Sequence, residues 1–227
     1  MPRITTLTPT SEQYSELQYA YDHFNDHLFG GELPGCLITM QRQKKSNGFF
    51  HGNRFVAADG KTLTDEIALD PFVMKQRPAR ATLATLAHEM AHLWQHHFGK
   101  PSRSGHHNAE WAAKMIAIGL HPSDTGMPGG KITGQKVTHY IVDGGRFDRA
   151  CHDLLNREGF KLPFVQSAAD PAKAAKKRAS KTKFTCPCCE AAAWGKPTLR
   201  IFCGECDERM LPADAGGDEE TDTALAA

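Results

Sequence analysis

The stretch His88-Glu89-Met90-Ala91-His92 sets the tightest limit on what this chain can fold into. On an α-helix, residues four apart lie nearly one above the other on the same face. The imidazoles at 88 and 92 can therefore share one zinc ion, with Glu89 beside the metal's open position. The flanking residues predict that helix. Leu83, Leu86, Met90 and Leu93 recur at spacings of three, four and three, an apolar stripe for a core. Pro78 stands where a first-turn proline is tolerated, and Gly99 followed by Pro101 marks the far end. Five letters alone also fit a solvated helix face in a chain with 12 histidines, so the reading depends on further ligands.

A catalytic zinc takes a third protein ligand and keeps one position for water. The long metzincin pattern would need a glycine at position 95 and a histidine at 98, but Gln95 and Phe98 stand there. His96 continues the stripe, yet three ligands on one straight helix spread along its axis instead of converging. His96 and His97 are expected to face solvent near the helix C-terminus, where positive charge is favoured. A second source is Gly105-His106-His107-Asn108-Ala109-Glu110-Trp111, which opens another apolar-periodic segment (Trp111, Met115, Ile118). A ligand there approaches from another direction. His107, His106 and Glu110 compete for the role, and a glutamate would make the site gluzincin-type.

The order H-E-M-A-H, a fifteen-residue step, then H-x-x-E-W resembles the SprT-like metalloproteases, whose eukaryotic branch is Spartan. Tyr21 to Pro34 is similar to that family's opening helix and F-G-G-x-L-P turn, and Lys45 to Phe50 to the stretch entering its β-ribbon. The likeness covers roughly residues 15 to 120. It implies that His107 is the third zinc ligand, with Glu110 in a supporting role orienting an imidazole. It also implies a small antiparallel sheet beside the zinc helix, and, through Spartan, substrates that are bound or crosslinked to DNA.

At 227 residues the chain is long enough for one main domain and a small appendage. A net charge of +1 names no partner by itself. Met1 to Thr10 has no apolar run of signal-peptide length, and no stretch approaches the ~20 apolar residues of a membrane span. The expected setting is cytoplasmic, nucleoid association included. Cys36 and Cys151 stand far apart in sequence and read as reduced, buried thiols.

Residues 11–29 are predicted as a helix N-capped by Ser11 and stopped by Gly30-Gly31. His23 and His27 lie four apart on it but lack an acid placed like Glu89. Leu37 to Gln41, Phe49 to Val56 and Glu66 to Leu69 read as strands. A helix over 108–120 ends at His121-Pro122, Lys136 to Val142 reads as a strand, and Phe147 to Asn156 as a helix. Tyr140 is a phenol able to stabilise a tetrahedral intermediate, with His139 as helper, although a strand tyrosine is more often core.

From Gln166 to Lys183 the composition turns to Ala, Ser and Lys. Lys173, Lys176, Lys177, Arg178, Lys181 and Lys183 carry six positive charges, either a solvated linker or a track for phosphates. Cys186-x-x-Cys189 and Cys203-x-x-Cys206 then form two knuckles, with Cys188 spare. Four thiolates close a structural zinc site and leave no place for water.

The reading is an α+β, zincin-like metalloprotease domain (11–165), a basic linker (166–183), a zinc ribbon (184–210) and an acidic, disordered tail (211–227). His88, His92 and His107 hold a catalytic zinc, Glu89 is the general base, and Cys186, Cys189, Cys203 and Cys206 hold a structural zinc. The function expected is zinc-dependent cleavage of DNA-associated proteins. The alternatives are a non-catalytic nucleic-acid-binding protein and a general intracellular peptidase without DNA coupling.

Overall fold

The computed structural model describes residues 8–43, 46–165 and 181–212. The chain divides into two compact units, residues 1–167 and 168–227.

The first unit opens with helix α1 (Pro9–Phe29). Its N-cap is Thr8 with Pro9 in the first turn, not the expected Ser11. Proline needs no N–H there and is preset in φ, so the helix starts earlier than side-chain capping alone would place it. Leu17, Tyr21, Phe24 and Leu28 form its buried face. Gly30, at φ 72°, ends the helix. Asn25 then clamps the turn that follows, donating to the Leu33 carbonyl and accepting from the Leu33 N–H, both at 3.1 Å. The Tyr21 hydroxyl donates to the Pro34 carbonyl.

Strands β1 (Leu37–Met40), β2 (Gly48–Val56) and β3 (Leu63–Leu69) form a sheet in the order β1-β3-β2. The sheet is mixed, which corrects the purely antiparallel expectation. β2 and β3 form a hairpin-like antiparallel pair, whereas β1 runs parallel to β3. Turn residues between successive strands mark reversals of direction, but they do not reveal that β1 lies on the far side of β3. β2 is thus an edge strand, and its register shifts between His51 and Phe55, where Asn53 takes a φ of 52°.

Asp70 caps a short helix α2 (Pro71–Gln76), accepting from the Phe72 N–H at 2.8 Å. Helix α3 (Ala79–Phe98) then crosses the core, and Leu83, Leu86, Met90 and Leu93 are buried on its stripe. Helix α4 (Ala109–Ile118) is N-capped by Asn108, whose Oδ1 accepts from the Trp111 N–H at 3.0 Å. It stops at Gly119, before the His121-Pro122 break expected from the sequence. Leu120–Ser123 instead form β4, antiparallel to β5 (Thr138–Ile141). The left-handed glycine ends the helix one turn before the proline could. Helix α5 (Arg146–Leu155) closes the unit with Phe147, Cys151 and Leu154 buried. Cys36 is half-buried against the same core, and burial pushes both thiols up to about 12.

The second unit is a three-stranded sheet of β6 (Thr182–Thr185), β7 (Ala192–Gly195) and β8 (Leu211–Pro212), ordered β7-β6-β8. Phe184 and Met210 form its small core with Cys186 and Cys203. The sheet includes Thr182, Lys183, Leu211 and Pro212, two residues beyond the boundaries read from the sequence at either end. Lys181 and Lys183 are exposed; Lys173, Lys176, Lys177 and Arg178, and the tail beyond Pro212, lie outside the described residues. Among the described residues no helix is long and apolar enough to cross a membrane.

Gly119 gives a direct test of this packing. Its φ is +90°, and a Cβ there would stand 2.8 Å from the Arg146 nitrogen and 2.9 Å from that of Phe147. Gly30 has φ +72° with nothing within 4 Å. Gly30→Ala is expected to cost about 1 kcal/mol from the left-handed backbone alone. Gly119→Ala should cost about 1–2 kcal/mol more, as the start of α5 is forced away. Urea unfolding at fixed metal concentration measures both.

Candidate metal centre

α3 places His88 and His92 on one face, and His107 arrives from the loop that leads into α4. One ring nitrogen of each lies within 4.8 Å of the others. A tetrahedral zinc with Zn–N distances near 2.0–2.1 Å needs donors about 3.4 Å apart, so modest ring movement closes the set. His107 is held at both ends of its backbone by Gly134: its N–H donates to the Gly134 carbonyl at 2.8 Å, and the Gly134 N–H returns at 3.0 Å.

The second ring nitrogens of His107 and His88 are already engaged, and this orients those two donors. His107 Nδ1 lies 3.1 Å from the Gly134 carbonyl, an acceptor only, so Nδ1 carries the proton and Nε2 keeps its lone pair. His88 Nδ1 lies 3.1 Å from His139 Nδ1 on β5. One of these two imidazoles donates and the other accepts. When His88 is the donor, its Nε2 is free to bind a metal. Metal-binding histidines characteristically pass their second N–H to such an acceptor, which sets tautomer and ring angle. Trp111 is fully buried beneath the cluster, 4.2 Å from the His107 ring centroid, 4.9 Å from His88 and 5.1 Å from His92.

Burial controls the charge of these groups. Desolvation takes His88 well below its ordinary pKa, His92 to about 3 and His139 to about 4, and also lowers His107. All four are therefore neutral near pH 7 and present lone pairs instead of protons. Glu89 is buried beside them, and desolvation pushes its carboxyl up to about 8, the Phe50 backbone amide acting against that rise. The site forms the floor of a cleft of about 1030 Å³, walled by Phe50 and His51 of β2 on one side and by His106, Lys136 and His139 on another.

Of the three residues competing to join His88 and His92, His107 is the one whose ring nitrogen converges with theirs. His106 lines the cleft, and its Nδ1 is buried without a partner. Glu110 makes no hydrogen bond or ion pair with an imidazole among the described residues. Its Oε2 accepts from Gln95 Nε2 and from the Lys100 N–H, both at 2.7 Å, and these bonds hold its pKa low. Its role is to fix the loop after α3, which corrects the expectation that it orients a ring. Tyr140 and His139 exchange importance. Tyr140 stacks on His121 at 5.0 Å, while its neighbour His139 reaches the centre. Adjacent strand residues face opposite sides, so only one could do so. His139 lies 51 residues from His88, and nothing in the local spacing signals their meeting.

His96 and His97 are also placed differently than expected, both directed at Asp65 and not simply at solvent. On α1, His23 Nε2 lies 2.8 Å from the Ala150 carbonyl and His27 Nδ1 2.8 Å from the His23 carbonyl, so that pair is occupied structurally.

In the second unit the Cys186, Cys189, Cys203 and Cys206 sulfurs lie within 4.8 Å of one another, and Cys188 is exposed. The two knuckles repeat one geometry. The Glu190 N–H donates to the Cys186 carbonyl at 3.0 Å and the Asp207 N–H to that of Cys203 at 2.9 Å. Glu190 and Asp207 share left-handed φ values of 59° and 55°. Four thiols converging from two matching turns fit the closed tetrahedral set of a structural zinc.

The His88–His139 contact makes a measurable difference. His139→Leu should weaken metal binding at the histidine centre ~10–100-fold by removing the partner of His88 Nδ1. His139→Asn can put an oxygen where Nδ1 stood and should retain most of the affinity. Competition against a chromophoric chelator reads both.

Residues 17–132 match the SprT-like family, a span that includes His88, Glu89, His92 and His107. A protein of Salmonella typhimurium described as an uncharacterized protein in the mucB 3' region is 49% identical over 65 residues, 29% of this chain and 88% of its own length. With the matched span covering half of the chain, and the H-E-x-x-H helix and third histidine convergent within it, this protein belongs to the SprT-like family.

Proposed function

We propose that the chain is a zinc-dependent endopeptidase. The observation that carries this reading is Glu89, a carboxyl buried on α3 between two of three imidazoles whose nitrogens converge at the floor of an open cleft. A purely structural metal site has no use for such an acid. Zinc held there by His88, His92 and His107 would acidify a water and polarise the scissile carbonyl. Glu89 takes the proton of the attacking water and passes it to the leaving amine. Its place beside His88 and His92 at the floor of the cleft suits it to both steps. β2 borders the cleft with an outer edge left open by the strand order, so an extended substrate can add to it through main-chain hydrogen bonds. Recognition of that kind is nearly blind to side chains.

Glu89→Gln is expected to lower cleavage of an unfolded protein ~10²–10⁴-fold while zinc content is unchanged. His107→Ala should lose both activity and the zinc of this centre, and His106→Ala should keep them. Full cleavage by Glu89→Gln would remove Glu89 as the base, and no cleavage by the zinc-loaded wild type would leave the non-catalytic reading standing.

The second part of the reading is that DNA directs the enzyme to its substrates. It is supported by the six positive charges of residues 173–183, two of them on exposed side chains leading into the cysteine-bearing unit. Holding enzyme and substrate on one polyanion raises their local concentration without altering the chemistry. DNA should accelerate cleavage of a DNA-bound protein, and the acceleration should fade steeply with salt as counterion release weakens. Reversing the charges of Lys173, Lys176, Lys177 and Arg178 should remove the acceleration and spare cleavage of a free, unfolded protein. If cleavage of the DNA-bound substrate keeps its full rate, the general-peptidase alternative is favoured.

A further inference from the structure

The imidazole row of α3 does not end at the metal centre. His88 and His92 turn to His107, but His96, one turn further, turns to Asp65 on β3, and His97 joins it there. Asp65 is buried, with 3% of its surface exposed. Its Oδ2 lies 2.6 Å from His97 Nε2, and its Oδ1 lies 3.9 Å from His96 Nε2. One donor atom from each of the three side chains falls within 4.8 Å of the others, a limit that His88, His92 and His107 also meet.

We propose that Asp65, His96 and His97 form a second histidine–carboxylate site that takes a divalent transition metal, separate from the centre at His88. Two neutral imidazoles and one carboxylate are a ligand set suited to zinc, cobalt or nickel; magnesium and calcium prefer all-oxygen sites. The carboxylate is held in place without the metal, because Oδ1 accepts from the Asn53 N–H at 2.7 Å. His96 is confined as well. Its ring lies against Gly52, where a Cβ would stand 2.6 Å from Cε1, and Asn53 Nδ2 is 3.5 Å from its Nε2. The bulge in β2 thus builds one wall of the site, and the last turn of α3 builds the other.

Binding would exchange the 2.6 Å His97–Asp65 hydrogen bond for two metal bonds, with the Nε2 proton of His97 passing through solvent to its Nδ1 so that the ring binds as a neutral imidazole. That lost hydrogen bond makes the site weaker than one whose donors start free. His96 also lines the cleft, so an ion here would tie the β2 wall to the end of α3 and stiffen the side of the cleft on which an extended chain would lie.

Equilibrium dialysis of the full-length protein against zinc, followed by elemental analysis, tests the site. The wild type should bind one more zinc per chain than Asp65→Asn, which keeps an acceptor for the Asn53 N–H, and one more than the double variant His96→Gln/His97→Gln. The extra zinc should be removed first as chelator is raised. His88→Ala should lose a different, tighter zinc and keep the weak one, so failure at either centre is told apart from failure at the other. His27→Gln serves as control for adventitious imidazoles and should bind as many as the wild type. Matching circular dichroism spectra establish that the variants fold. Equal zinc counts in the wild type and both Asp65-site variants would overturn the proposal and leave a hydrogen-bonded clamp between α3 and β3.

Discussion

One side-chain amide holds together the geometry on which the metal centre depends. Gln95, buried on α3, spends both hydrogens of its Nε2 on the segment that returns towards the helix, donating at 2.7 Å to Asn108 Oδ1 and at 2.7 Å to Glu110 Oε2. Asn108 also caps α4 and donates to the Lys100 carbonyl at 3.0 Å. Gly99 packs so closely on the Glu110 carboxylate that a Cβ would not fit. The loop between α3 and α4 is therefore fastened at its start and at its end to the same helix. His107 sits one residue before this anchor, so its approach to His88 and His92 is decided before any metal arrives. Buried polar networks hold a unique arrangement only when each member is satisfied, and this one meets that condition across all three side chains.

The centre is built from groups that carry no charge at neutral pH. Desolvation keeps the histidines unprotonated, and the partner of His88 is another neutral imidazole where a carboxylate often stands. A carboxylate would add electron density to the ligand and offset part of a bound ion's charge. An imidazole acceptor orients the ring without that offset, which leaves a bound cation a stronger electrophile and easier to extract. The fully buried Trp111 packs against all three rings and keeps water from the side it covers.

The residues that could be read from the chain are those whose meaning is local. H-E-x-x-H declares itself because helix periodicity converts a spacing of four into one face, and the paired C-x-x-C turns declare themselves because each knuckle is a single short segment. The apolar stripes of α1 and α3 are legible for the same reason. What escaped was set by tertiary packing. The Nδ1 contact between His88 and His139 joins segments 51 residues apart. The parallel pairing of β1 with β3 depends on which side of β3 an earlier strand docks, which neither strand records. Asp65 reads as an ordinary polar residue of a strand and gains significance only when α3 lays two imidazoles across it. Glu110 looked like a candidate ligand from its position beside His107, yet a loop amide and Gln95 claim its carboxylate.

The bulge in β2 has a consequence for length. Regular pairing with β3 runs from Gly48 to His51, four residues, before the register shifts, and resumes at Phe55. An added chain can follow the straight part of that edge for about 13 Å at ~3.3 Å per residue, and only alternate residues there point their N–H and C=O outward. The footprint is a few main-chain hydrogen bonds, too little to retain a polypeptide for long. It is also too short to template open-ended strand stacking, the hazard that a long, flat edge would bring. Under the proposed strand addition, a brief grip of this kind would favour chains that are already loose and offer little purchase on folded ones, whose edges are engaged elsewhere.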